Sequence, residues 1–400
     1  MEKYQQGDLR SLLMAVYTDR IRTDSSPQRG TEPDAEFYER MAGPFWDQAR
    51  DVITEWWSHL PEHAQRGFRK RLLDRNSNAN VSSALWELYL HEMLLGAGCT
   101  VEIERPLGSR GKTPDFLVTR GDEQFVVEAI WTSERADDAL TAALLDTIDR
   151  LPSPNFRVSV TINRAGSTAP QQKRLKSGLT RWLAELDPDH AIADLMQRHR
   201  PLPSYTWQEA DWSISFMAFP RDPGRRGIPS SRTIGMYPPM KEPLRSDLVL
   251  EAVRRKGKKY GELSMPFIVA VGQATYFPED DDIGNSLYGS PIEYIRSGDS
   301  SALRRLPDGY WTTPHTDSHS RVSGVLVVNN PGPWSWAKNT PVLWCSPNSR
   351  SIDAPVLPTW GTMHLASGQV ERQPPAAPAN TALGLPEDWP IGDPSQRHTR

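Results

Sequence analysis

Asp115 follows Pro114 and opens an alternating stretch, and Glu128 closes the next one, FVVE, beyond a tight turn at Arg120-Gly121-Asp122. Antiparallel neighbours joined by such a turn bring their end residues side by side. Two carboxylates held that close repel each other, and a divalent cation is the usual compensation. Glu87, on a helix preceding both strands, is placed to pack over the same edge and complete an oxygen-rich site suited to Mg2+ or Mn2+. Glu92, five residues further along that helix, points about 140° away and reads as a solvated residue. His315 and His319, four apart in TTPHTDSHS with Asp317 between them, have a spacing that can hold zinc on a helix. That segment has loop composition, no Glu after the first His and no cysteine nearby, so a solvated or phosphate-neighbouring loop is the preferred reading.

The elements that must position these acids are legible from hydrophobic period. AEFYERMAGPFWDQARDVITEWWSHLPEHAQRGFRKRLLDR reads as helices interrupted near Gly43-Pro44 and Leu60-Pro61, with Arg66, Arg69, Lys70 and Arg71 giving its end a positive face. VSSALWELYLHEMLLGAG is a helix with serines at its start and a stop at Gly96 and Gly98. CTVEIERPL alternates as a strand, and two strands joined by the turn follow it. ADDALTAALLDTIDRL, QQKRLKSGLTRWLAEL and SDLVLEAVRRKGKKYGEL read as helices. They alternate with the strand-like runs FRVSVTINRA, WSISFMAF and MPFIVAV, the last apolar enough for a buried central strand. Such alternation predicts an α/β core.

Four regions are expected: N-terminal helices over 1–78, a core over 79–275, an irregular β-rich extension over 276–370, and a Pro-rich tail over 371–400, mobile or draped on the surface. Lys plus Arg total 46 against 50 Asp plus Glu, so any basic face is local and net charge identifies no partner. The two cysteines, Cys99 and Cys345, exclude a disulfide scaffold or a four-thiolate zinc site and fit a reducing compartment. No stretch approaches the ~18 apolar residues of a membrane span, and a cytoplasmic protein is the plain expectation. Trp56, Trp57, Trp86 and Trp131 sit in amphipathic helices or beside strands, where core packing explains them better than base stacking does.

The ordered set Glu87, Thr113-Pro114-Asp115-Phe116 and Val126-Val127-Glu128-Ala129-Ile130 resembles the PD-(D/E)XK nuclease superfamily, the fold of many restriction endonucleases and of Holliday-junction resolvases. The likeness covers residues 80–165 well and 245–275 loosely. It implies a mixed central sheet flanked by helices, and a metal, Mg2+ or Mn2+, at Asp115 and Glu128 with Glu87 helping directly or through water. The main-chain carbonyl near Ile130 would be a further ligand. The activity implied is metal-dependent phosphodiester hydrolysis on nucleic acid, with DNA as the default. Defence against foreign DNA or repair would suit such a protein. The layout also resembles a bacterial group in which such a core precedes a Trp- and Pro-rich C-terminal region.

One position departs from the family pattern: Ile130 stands where the motif lysine belongs. Substitutes are Lys112, just before the Pro-Asp, and the helix Lys256-Gly257-Lys258-Lys259-Tyr260. Its spacing is similar to the Gln-x-x-x-Tyr helix of some members, with Lys256 at the Gln position. Lys256 or Lys259, beside Tyr260 on one helix face, is preferred over Lys112. The rival expectation is a catalytically inactive nucleic-acid-binding or scaffold protein that keeps the nuclease fold.

Overall fold

The structure is a computed structural model. It describes residues 15–26, 28–29, 31–107, 112–133, 139–227, 232–236, 247–260, 263–275, 279–295, 301–312, 321–348 and 351–392. His315, Asp317 and His319 lie outside them, as does the start of the chain.

The chain divides into two compact units. The first takes the described residues within Met1–Pro27, Pro33–Ser133 and Ser246–Arg400, and the second those within Gln28–Glu32 and Glu134–Arg245. The first begins with α1 (Asp34–Arg40), α2 (Pro44–His59), α3 (Glu62–Leu72) and α4 (Asn78–Gly96). Pro44 occupies the first turn of α2, where its missing N–H costs nothing. Ser77 caps α4 by accepting from the Asn80 amide at 3.2 Å. After α4 come β1 (Thr100–Ile103), β2 (Phe116–Arg120) and β3 (Glu123–Ser133).

The second unit follows. It holds α5 (Ala139–Asp149), β4 (Phe156–Arg164), α6 (Gln172–Glu185), α7 (Pro188–Arg198), β5 (Ser204–Glu209), β6 (Trp212–Pro220) and β7 (Ile234–Met236). Its four strands form their own sheet in the order β5-β6-β4-β7. Leu144 and Ile148 of α5 and Leu175, Leu179 and Leu183 of α6 share one core with Val158, Val160, Ile214 and Phe216. These strands were expected in the same core as the acids, and the structure gives them a sheet of their own.

The chain re-enters the first unit with α8 (Asp247–Lys256), β8 (Phe267–Ala274), α9 (Asp280–Tyr288), β9 (Pro291–Ile295) and β10 (Ser301–Arg305). It ends with β11 (Gly324–Asn329), β12 (Val342–Cys345), β13 (Gly361–Ala366), β14 (Gln369–Gln373) and α10 (Ala379–Leu383). Eight strands form a mixed sheet in the order β1-β2-β3-β8-β11-β12-β13-β14. The centre, β3-β8-β11, is parallel, and its near-continuous apolar runs suit strands covered on both faces. The region expected as an irregular β-rich extension, with the first residues of the expected tail, therefore supplies half of this sheet, β11 to β14. The reason is composition: GVLVVN and VLWC are short apolar runs that need a covered position.

Alternation along β3 sorts its residues between two helical layers. Val127 and Ala129 pack in the core that contains Trp86 and Tyr89 of α4. Val126 and Ile130 pack in the other core, with Val249 and Val253 of α8 and Leu287 of α9. Glu128 lies between Val126 and Ile130, so its side chain is delivered to the α8 face.

The tail expected to be mobile or draped is built into the fold. Ala379, Ala382, Leu383, Leu385 and Trp389 are buried in the α4 core, and Trp389 Nε1 donates to the Pro333 carbonyl at 2.7 Å.

Candidate functional site

Register places the two acids. Phe116 pairs with Val127, so Asp115, one residue before β2, stands opposite Glu128. The expectation that Glu128 closes its strand is corrected: β3 continues to Ser133, because Ala129 to Ser133 keep pairing with β8. Asp115 Oδ2 accepts from the Ala129 amide at 2.8 Å, which ties the Pro-Asp loop to β3.

Glu128 is wholly buried, and an uncompensated carboxylate there would be costly. Its compensation comes from the end of α8. Lys256 Nζ donates to Glu128 Oε2 at 2.8 Å and to Asp115 Oδ2 at 3.1 Å. Lys259 Nζ donates to Glu128 Oε1 at 2.7 Å, and the Tyr260 hydroxyl donates to the same oxygen. The helix itself ends at Lys256, earlier than the expected run to Tyr260. Gly257 lies against Val253 and Tyr310, where a β-carbon would stand 2.3 Å from the Tyr310 hydroxyl. The chain turns there and brings Lys259 and Tyr260 in behind Lys256. Two lacing bonds hold the turn against the Pro-Asp loop: Lys259 Nζ donates to the Thr113 carbonyl at 2.9 Å, and Lys112 Nζ donates to the Lys259 carbonyl. Lys112 is thus occupied away from the acids.

The electrostatics follow from this packing. Burial, and then the charge of Glu128, push Asp115 up to about 6. For Glu128 burial acts in the same direction, but the Lys256 ammonium and the bonds from Lys256, Lys259 and Tyr260 outweigh it and hold the carboxyl below its usual range. Lys256 is disfavoured as a cation by burial, yet Asp115 and Glu128 hold its pKa above the ordinary value. Burial and the bond to Glu128 raise Tyr260, which stays protonated.

Glu87 does not join the acids as a ligand. Its carboxylate is gripped by Arg71, with NH1 to Oε1 at 2.5 Å and NH2 to Oε2 at 2.7 Å, and it also accepts from Ser83 Oγ at 3.2 Å. It is near enough to Asp115 to contribute to raising that pKa. Among the described residues no group of three or more His, Cys, Asp or Glu side chains is disposed to hold a metal ion, so the expected three-acid cluster is not assembled.

Ile130 is also corrected as a backbone ligand. A residue in a strand turns its N–H and C=O to the same edge, and successive residues alternate. The Ala129 amide meets Asp115, and the Val126 amide meets the Pro266 carbonyl beside β8. The carbonyl of Ala129 therefore shares the acids' edge, whereas that of Ile130 faces β8.

Glu92 is not solvated. It is buried, with His59 Nδ1 2.7 Å from Oε2 and His91 Nδ1 2.9 Å from Oε1. Arg71 was legible only as one member of a basic run, and nothing in its spacing from Glu87 signals the clamp.

Asp115 Oδ2 and Glu128 Oε2 converge on one positive charge, the Lys256 ammonium, and both acceptors at that point are carboxylate oxygens. That set fits Mg2+ or Mn2+, which are commonly held by one or two carboxylates with water and phosphate completing the shell. No helix is long and apolar enough to cross a membrane among the described residues. Compared with known proteins, the chain matches no family model, no curated protein and no solved structure.

Proposed function

We propose that the first unit is a nuclease core of PD-(D/E)XK type that hydrolyses phosphodiesters in nucleic acid, DNA first, with Mg2+ or Mn2+ held by Asp115, Glu128 and the Ala129 carbonyl. The observation that carries this reading is the pair of amines from α8 and its turn, seated on the two acids. They supply from another element the cation that Ile130 does not. A bound divalent ion supplies Lewis-acid polarisation of the phosphate and a water of lowered pKa. Lys256 and Lys259 then carry positive charge to where the phosphate gains negative charge, and Tyr260 fixes the carboxylate of Glu128. The mixed sheet with helices on both faces agrees with such a core at the level of fold class.

The purified protein should cut plasmid, single-stranded or branched DNA in Mg2+ or Mn2+ and stop in chelator. Asp115→Asn and Glu128→Gln should abolish cutting, and Lys256→Ala should slow it at least about tenfold, or roughly 1.4 kcal/mol of barrier. Full activity in both acid variants would remove the assignment.

A second reading has its own support. Both oxygens of Glu128 are already engaged by donors, as in a structural ion-pair network. A catalytically inactive nucleic-acid-binding or scaffold protein would keep that network. It is favoured if no Mn2+ binds by calorimetry and no substrate is cut.

A further inference from the structure

We infer that Arg71, clamped by Glu87, is the phosphate-binding group beside the acids, and that Glu87 serves there as its anchor and not as a metal ligand. The inference rests on the nuclease reading and deepens it by assigning the group that holds the phosphodiester. Arg71 lies in the last turn of α3, and Glu87 in the middle of α4. The guanidinium meets both carboxylate oxygens and lies 4.5 Å over the Phe68 ring, one turn earlier on its own helix. Ser83, one turn before Glu87, holds the carboxylate from the other side.

A guanidinium has five N–H donors in a rigid fork, so two bonds to Glu87 leave about three for another partner. The side chain is 32% exposed, enough to present them. The surroundings say which partner they suit. Burial disfavours the Arg71 charge, but Glu87, Asp115 and Glu104 together hold its pKa above the ordinary value. Arg71 is therefore a permanent cation within the field of Asp115, locked on one face by an aromatic ring and on one edge by a carboxylate. A group so fixed loses little entropy on gripping an anion. The phosphodiester is the anion that must approach Asp115 and Glu128, and the planar fork matches two of its oxygens.

The test reads DNA binding apart from cleavage. Fluorescein-labelled 20-nucleotide duplex and single-stranded DNA are titrated by anisotropy in EDTA and across salt. Arg71→Ala should lose about tenfold in affinity, and its salt slope should fall by about one, as expected for one lost phosphate contact. Arg71→Lys keeps a cation against Glu87, guards against misfolding of the alanine variant, and should recover only part of the affinity. Glu87→Gln should weaken DNA binding while leaving the Mn2+ concentration for half-maximal cleavage unchanged, and the double variant should be no worse than Arg71→Ala. Unchanged DNA affinity in Arg71→Ala would overturn the inference, as would a raised Mn2+ requirement with unchanged DNA affinity in Glu87→Gln. In either case a wild type that still cleaves keeps the nuclease reading. A wild type that neither binds nor cleaves DNA removes both.

Discussion

Glu128 is the residue on which the acid site turns, because a wholly buried carboxylate persists only with partners of opposite charge. Lys256 touches both acids, so its removal leaves Glu128 short of one charged bond and Asp115 closer to its full repulsion. Lys256→Ala should therefore cost roughly 2 to 3 kcal/mol in urea unfolding, the range for a lost charged hydrogen bond, in addition to its effect on cleavage. An unchanged midpoint would show that Lys259 and Tyr260 suffice. Asp115 behaves in the opposite sense. Its folded pKa of about 6 lies above the ordinary 3.8, so the folded state binds this proton more tightly than the unfolded chain does. That contribution is complete below pH about 4 and is lost as pH rises through about 6. Asp115→Asn keeps an acceptor for the Ala129 amide and removes the charge. It should stabilise the metal-free protein at pH 7.5 by about 1 to 2 kcal/mol, and by much less at pH 4.5. Equal differences at the two pH values would refute the shift. The placement of Asp115 beside Glu128 was readable, since a tight turn and strand alternation determine neighbours. So was the approach of Lys256 and Lys259 from the helix before β8. The diversion of Glu87 was not, because it depends on how α3 lies against α4, which the hydrophobic pattern of neither helix encodes.

Among the elements, α4 is the one whose surroundings determine the most. It contacts α1, α2, α3, α10, β1 and β3, and its buried residues run from Val81 to Leu94 around nearly the whole circumference. A helix covered on all sides has no solvated face, which is why phase alone misplaced Glu92. Counting residues gave its direction, but the occupant of that direction is a pair of histidines, one of them from α2. The strand readings fared better where runs were long and apolar, as in β8. The short strands β5 and β14 carry little signal beside their polar residues. The contact between α4 and β8 is close: a β-carbon on Gly272 would stand 2.7 Å from the Trp86 indole, whose Nε1 donates to the Ala270 carbonyl at 3.3 Å. Trp86 is fully buried and cannot swing aside. Gly272→Ala should cost about 1 to 3 kcal/mol through overpacking, read as a lowered denaturation midpoint with unchanged slope. No loss would mean that Trp86 has room to shift.

At the scale of the molecule, the sheet that carries the acids is completed by strands late in the chain, and its α4 layer is completed later still. Composition misled about the tail, since a Pro-rich segment has few periodic residues from which to read an element. A Pro-rich segment can nevertheless lie fixed when a few large side chains find a cavity in the core. Trp389 is one of these, 3% exposed with its indole N–H satisfied by Pro333. Upstream, α10 approaches α4 so closely that a β-carbon on Gly96 would stand 1.7 Å from the Ala382 carbonyl oxygen. Only glycine admits that contact, and Gly96, which reads in sequence as a helix stop, is the last residue of α4 and the seat of the tail. If the tail were merely draped, its removal would leave the melting temperature unchanged. As packed, Trp389→Ala should cost roughly 3 to 5 kcal/mol, the range for deleting a buried indole from a core. Deleting residues 376–400 removes Ala379, Ala382, Leu383, Leu385 and Trp389 together. At ~2 kcal/mol for each large side chain, that loss rivals the whole stability of an ordinary domain. The truncated chain should therefore lose cooperative unfolding of the first unit by near-ultraviolet circular dichroism. Trp389→Ala should shift the midpoint while leaving the transition cooperative, and a wild-type melt in either variant would return the tail to the surface.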